Sequence, residues 1–258
     1  MALTRFVKSN AEVAAYQKLF AAPAFLQMRT LTVAFETDPA IVAELLPPPL
    51  EPAEQARIVV SIYTVGDSNC AGPFAGAAVN VTCRYGGESG VYCLAMPMTT
   101  DAALIFGREL YAEPKKLAEV TLDGDAPGAL HGVVRRHGAA FIELHAAFED
   151  QVEEVERESE SNNYYFKAFP SADGAGFAHD PELVRVTHRT TTRRISRGSG
   201  TITFRESRHD PVIDIPVLSV ISATLSEGEM HTSAEVVATV AGDSYAPYAF
   251  AKMDDLTA

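Results

Sequence analysis

Ala78-Val79-Asn80-Val81-Thr82-Cys83-Arg84-Tyr85-Gly86-Gly87-Glu88-Ser89-Gly90-Val91-Tyr92-Cys93-Leu94-Ala95-Met96 is the stretch that decides the fold class. Residues 78–84 and 91–96 are rich in apolar and β-branched side chains, which suit a pleated, half-buried surface. Residues 85–90 between them are rich in glycine and read as a hairpin loop. The same pattern returns at residues 130–136 and 140–148, which flank His137-Gly138. Leu31, Val33 and Phe35 alternate with Thr30, Thr32 and Ala34. Further strands are predicted over 58–65, 163–169, 183–189, 201–205, 217–225 and 231–240. So many hairpin-linked strands predict a mainly β, antiparallel fold with helical decoration.

Three helical segments are predicted. Asn10 can cap a helix over 11–20, and Asp38 followed by Pro39 starts another that Pro47-Pro48-Pro49 stops. Asp101 can cap the apolar run 102–106. No repeat or linker divides the chain, so residues 1–258 read as one domain. The acidic run from Glu149 to Glu160 reads as a solvated segment. The basic stretch from Arg185 to Arg197 reads as the outer face of a strand.

The chain has 258 residues, is 47% hydrophobic and carries a formal charge of −13. That supports a sizeable core and argues against a nucleic-acid surface. Cys70, Cys83 and Cys93 form no C-x-x-C pair and are odd in number, which favours reduced thiols over zinc or a disulfide framework. The start of the chain offers no apolar core for a signal peptide, and no apolar run has membrane-spanning length. The expectation is a soluble, cytoplasmic protein.

The chemistry-bearing stretch is Gly107-Arg108-Glu109-Leu110-Tyr111-Ala112-Glu113-Pro114-Lys115-Lys116. Adjacent ammonium groups repel, which favours loss of a proton from one of them. A neutral lysine amine attacks ketone and aldehyde carbonyls to form a Schiff base. Lysine pairs are also common on solvated surfaces, so the neighbours matter: Pro114 fixes the backbone, and the preceding run is apolar. Arg29 shares its parity with Leu31, Val33 and Phe35, so it points with them toward the core. A guanidinium there is costly unless it is paired or binds a ligand carboxylate.

These residues resemble the acetoacetate decarboxylases. The resemblance lies in Gly107-Arg108-Glu109-Leu110 with Pro114-Lys115-Lys116-Leu117, and in Arg29 ahead of Pro47-Pro48-Pro49-Leu50-Glu51. It extends to Arg84-Tyr85-Gly86-Gly87, Asn163-Tyr164-Tyr165-Phe166-Lys167 and Asp214-Ile215-Pro216-Val217. It implies a closed antiparallel β-cone with peripheral helices, and a homo-oligomer. It also implies Lys115 as the imine-forming nucleophile, Lys116 as its cationic neighbour and Arg29 as the binder of a substrate carboxylate. The positions of two acidic residues found in decarboxylating members hold Ser61 and Gly76 here. Asp67 and Glu113 could replace them only if the loops bend toward the lysine.

The expected activity is therefore a Schiff-base lyase of aldolase-dehydratase or retro-aldol type. Its substrates would be pyruvate or a related 2-oxo acid, with an aldehyde as second partner. A protonated imine is itself an electron sink, so no metal or organic cofactor is implied. Tyr92, Tyr111 and His231 are candidate acid-base groups. Acetoacetate decarboxylation and a catalytically silent ligand-binding module are the alternatives. No nucleic acid or membrane partner is expected.

Overall fold

The computed structural model describes residues 4–149 and 152–257. Helix α1 spans Asn10–Ala21, α2 Pro39–Leu45, α3 Asp101–Tyr111 and α4 Gly242–Ala251. The strands are β1 Ala24–Glu36, β2 Glu51–Pro52, β3 Arg57–Ser68, β4 Phe74–Tyr85, β5 Glu88–Met98 and β6 Lys115–Leu117, then β7 Glu119–Gly124, β8 Gly128–Arg136, β9 Ala139–Phe148, β10 Glu153–Lys167, β11 Glu182–Phe204 and β12 Ser219–Thr239.

The expected hairpin forms between β4 and β5. Gly86 and Gly87 both take positive φ, 58° and 87°, as a tight turn between twisted strands requires. From there the order runs β10-β5-β4-β3-β1-β12-β11. Strand β10 also pairs with β11, so these strands close into a ring. The β10–β5 seam is parallel and short, with Asn163 opposite Val91 and Tyr164 opposite Tyr92. The far end of β11 leaves the ring and pairs with β9, extending into a second layer of β9, β8 and β7.

The two faces of the ring differ sharply. Leu31, Val33, Ile58, Val60, Ile62, Val79 and Val81 are fully buried on the outer face, in one cluster with Val134, Ile142 and Leu144 of the second layer. Each such side chain contributes about 1.5–3 kcal/mol by leaving water. The layers touch closely where Gly132 meets Ile62: a Cβ on Gly132 would lie 2.8 Å from Ile62 Cδ1. The inner face carries Thr30, Thr32, Ser61, Tyr63 and Asn80 and surrounds a hollow. Alternation along the strands thus separates a dry interface outside from a chamber inside, where these polar groups mix with Phe25, Val65, Phe74 and Phe106.

Several boundaries depart from expectation. Ser9 caps α1 in a reciprocal arrangement with Glu12, and Thr100 caps α3. Glu182–Phe204 form one strand with a register shift, and Ser219–Thr239 form another. The acidic run is β-structure from Glu153 onward, because β11 supplies its counter-charges: Arg197 binds Glu153, Arg194 binds Glu154 and Arg189 binds Glu160. Asp150 and Gln151 of that run, and Met1–Leu3 of the segment read for a leader, lie outside the described residues. Helix α4 has no predicted counterpart. All three cysteines are free. Among the described residues no helix is long and apolar enough to cross a membrane.

Candidate active site

Lys115 enters the chamber because of how α3 ends. Ala112 adopts a left-handed conformation, φ 59°, and its N–H donates to Arg108 and Gly107 carbonyls. The chain then doubles back, and the Glu113 N–H donates to Gly107 O at 3.2 Å. Lys115 pairs in parallel with Met96 of β5, and Arg108 Nη1 donates to Lys115 O at 2.9 Å. The arginine of the Gly-Arg-Glu run therefore clamps the lysine backbone.

The Lys115 side chain is almost wholly enclosed, and its residue exposure is 5%. Its Nζ donates to Ala103 O at 3.0 Å and lies 2.8 Å from Glu113 Oε2. Glu113 is 8% exposed. Gly107 makes room for this pair: a Cβ there would lie 2.7 Å from Lys115 Cε and closer still to Lys115 Nζ and Glu113 Oε2.

Around the pair lies a chamber of about 360 Å³. Thr32 and Ser61 share a hydrogen bond of 3.0 Å on its wall, and Asn163 Nδ2 donates to the Tyr165 hydroxyl at 3.1 Å. Burial, reinforced by the Glu113 charge, pushes the Tyr63 and Tyr165 phenols well above their ordinary range. Burial also holds the His188 ring down at about 4, so it is neutral at physiological pH. An enclosed amine, a carboxylate in contact with it and neutral polar walls can form an imine and move protons around it.

The family model described as "Acetoacetate decarboxylase (ADC)" matches residues 10–240. The chain belongs to the acetoacetate decarboxylase family. A curated relative, "Acetoacetate decarboxylase" of Burkholderia ambifaria (strain MC40-6), is 28% identical over 204 residues, which cover 77% of this chain and 81% of the relative. The solved acetoacetate decarboxylase of Legionella pneumophila superposes with a TM-score of 0.76 at 19% identity, covering 84% of this chain and 87% of that one. The enduracididine biosynthesis enzyme MppR in complex with pyruvate gives 0.68 at 18% identity, covering 84% and 90%. MppR has also been solved with the condensation product of pyruvate and imidazole 4-carboxaldehyde. These likenesses agree on the fold.

Within that family frame, the expected site residues separate. Lys115 is in the chamber. Lys116, the next residue of β6, points to the opposite side, where Asp210 and Asp254 each lie 3.1 Å from its Nζ. It also donates to the carbonyls of His209 and Met253. Its charge is thus met by two carboxylates outside the chamber. Arg29 does follow the parity of Leu31 and Val33, but that face looks toward the second layer. Its guanidinium donates to Gly124 O at 2.7 Å and binds Asp125 at 3.0 Å, with Glu227 at 3.6 Å. Met28 lines the chamber instead.

Ser61 lines the chamber. Gly76 is packed so tightly that a Cβ would lie 2.8 Å from Met98 Sδ and 3.0 Å from Tyr63 Cε2. Asp67 is exposed on the surface, whereas Glu113 does turn inward. Its only advance signal was its place two residues before Lys115. Tyr111 reaches the chamber and bonds Thr232 at 3.3 Å. Tyr92 packs against Phe166 in the outer cluster, and His231 is exposed. Sequence reasoning missed His188, Tyr63 and Tyr165, which sit in strand-like runs with no local feature to set them apart.

Among the described residues, His131, Glu143 and His145 are compact enough to hold a metal ion, with donor atoms within 4.8 Å of one another. They lie on the β8–β9 hairpin, away from the chamber. Glu143 is already shared by both histidines and Arg205, which hold its carboxyl down at about 2.

Proposed function

We propose that the protein is a Schiff-base lyase. Lys115 forms an imine with a small carbonyl compound, and the enzyme makes or breaks a carbon–carbon bond through the derived enamine. The observation that carries this reading is the buried Lys115–Glu113 pair, 2.8 Å apart at the chamber wall. Glu113 takes a proton from the Lys115 ammonium, leaving a neutral amine. The amine nitrogen bonds to the carbonyl carbon as the carbon–oxygen π bond breaks. Glu113 returns that proton to the oxygen, then carries a second proton from the carbinolamine nitrogen to the same oxygen, which departs as water and leaves the protonated imine. The protonated imine then draws electrons toward nitrogen, so an adjacent C–H proton can pass to Glu113 and leave an enamine. That enamine attacks an aldehyde, and dehydration of the product completes an aldolase-dehydratase sequence; the reverse is retro-aldol cleavage.

The expected 2-oxo acid drew on Arg29. With that guanidinium held elsewhere, the oxo-acid part of the reading is supported by the pyruvate complex of MppR and not by an arginine in the chamber. Cyanoborohydride trapping with a panel of aldehydes and ketones, followed by peptide mass mapping, tests it. The expected result is an adduct on Lys115, slowed by about 10²–10⁴-fold in Glu113→Gln if Glu113 carries the proton. Adducts confined to surface lysines would overturn it. Acetoacetate decarboxylation is the second reading, favoured by the name of the 28%-identical Burkholderia relative. Release of CO2 from acetoacetate that disappears in Lys115→Ala would establish that reading instead.

A further inference from the structure

We propose that His131, Glu143 and His145 form a binding site for a divalent metal ion of the zinc class, on the face of the second layer turned away from the ring. The site is separate from the lysine chamber and takes no part in the imine chemistry. Strand register builds it. His131 of β8 stands directly opposite His145 of β9, and Glu143 comes two residues before His145, so all three share one face. Ile142 and Leu144 point the other way, into the outer cluster. The two imidazole rings stack with centroids 4.2 Å apart. Their Nε2 atoms meet the same Glu143 oxygen, Oε1, at 2.8 and 3.1 Å. The other oxygen, Oε2, is bound by Arg205, just past the end of β11. Arg205 also donates to Ala140 O at 3.3 Å, so the carboxylate is held from behind.

Two imidazole nitrogens and one carboxylate oxygen are a zinc ligand set, with a fourth position left to water. Calcium and magnesium take oxygen shells instead. Two donors at about 2.0–2.1 Å from one tetrahedral ion lie about 3.3 Å apart. The contacts of 2.8 and 3.1 Å need to widen by only about 0.2–0.5 Å to admit such an ion. The ring planes are 10° apart, so the rings must also turn until both lone pairs meet it. The χ2 torsion of histidine is broad, and the side chains of His131 and His145 are 42% and 54% exposed, which leaves them room to turn. Arg205 does not occupy the ion's place, because it uses the far oxygen. It fixes the carboxylate as an outer partner fixes a metal ligand. Its charge is offset by Asp123 of β7, which stands directly opposite His131. An ion bound there ties β8 to β9, two of the strands that cover the apolar outer face of the ring.

Calorimetric titration of the chelator-treated full chain with Zn2+ tests the site. The expected result is a single saturable Zn2+ per chain with a Kd below about 0.1 mM. His131→Gln and His145→Gln should each weaken it on the order of 100-fold, the upper end of the loss seen when even an outer partner of a metal ligand is removed. Co2+ in place of Zn2+ should give the visible absorption of a four-coordinate ion in the wild-type chain, a readout that does not depend on any variant folding. Mg2+ and Ca2+ should not compete. No saturable Zn2+ binding, or binding that survives both histidine substitutions, would overturn the site. Mg2+ or Ca2+ bound as tightly as Zn2+ would overturn the zinc class. Carbonyl trapping on Lys115 should run at the same rate with and without Zn2+; a rate that follows Zn2+ occupancy would overturn the separation of this site from the chamber.

Discussion

Replacing Gly107 by alanine tests the cradle around the Lys115–Glu113 pair. The new Cβ would lie 2.7 Å from Lys115 Cε, and ordinary contact begins at 3.4 Å. The lysine must therefore retreat by about 0.7 Å, and its Nζ and the Glu113 carboxylate by more, since both lie nearer the new atom. Misplacing a reacting group by about 1 Å costs on the order of 10²-fold in rate. Stability responds differently. Alanine in a helix interior is favoured over glycine by about 1 kcal/mol. Overpacking costs about 1–3 kcal/mol. The net destabilisation is then about 0–2 kcal/mol. The assay pairs the trapping rate on Lys115 with urea unfolding. The expected result is a rate loss near 100-fold in a protein that still folds cooperatively. A Gly107→Ala variant that traps carbonyls at the wild-type rate would refute the cradle, and with it the claim that this pair is the reacting unit.

Three further outcomes follow from the buried charges. His188 stays neutral in the folded chain down to about pH 4 but titrates near 6.5 when unfolded, so its contribution to stability is complete above 6.5 and lost as the pH falls through 4. At about 1.4 kcal/mol per unit the ceiling is about 3 kcal/mol, and urea midpoints between pH 7 and 4 should fall less steeply in His188→Gln. Lys116→Met strips one cation from Asp210, which keeps Arg136 at 3.0 Å. It should cost about 1–3 kcal/mol on unfolding while Lys115 still traps carbonyls; a collapse of trapping without loss of stability would return Lys116 to the chemistry. Lys252 Nζ lies over the rings of Tyr92 and Tyr245 at 5.9 and 5.4 Å, with no hydrogen-bond partner among the described residues, and burial lowers it from 10.5 to about 8. Its contribution is complete above 10.5 and lost as the pH falls through 8, so Lys252→Met should flatten the rise in stability between pH 8 and 10. The variant should also match or exceed wild type at pH 7.

The parts of the fold legible in sequence were those encoded locally. Gly86-Gly87 and His137-Gly138 supply the positive φ values that tight turns need, so both hairpins lie close to where the pattern put them. Asp38 and Pro39 mark the start of α2 for the same local reason. What failed depends on partners far away in sequence. Glutamates 153–160 look like solvated coil until the arginines of β11 are set beside them across the ring. Glu113 looks like a loop carboxylate until Ala112 takes a left-handed turn, a conformation that alanine rarely adopts and that its neighbours therefore gave no reason to expect.

Arg29 is the most instructive case, because its parity was read correctly and its destination was not. A strand has two faces, and sequence alternation tells which residues share one. It does not tell which face looks into a cavity. In most half-buried sheets the apolar face is the interior, and a charged residue on it invites a ligand. Here a second layer covers the outside of the ring, so the wholly apolar face is buried there, and the interior combines threonine, serine, asparagine and tyrosine with a second apolar cluster around Phe25, Phe74 and Phe106. The irregular step between Phe25 and Met28, where Gln27 takes φ 51°, lets Phe25 face inward along with Met28, while Arg29 beyond it keeps the outward parity of Leu31 and Val33. A one-residue bulge reverses every side chain beyond it. Strand alternation therefore sets Met28 on the chamber wall and Arg29 against Gly124 O and Asp125 of the second layer.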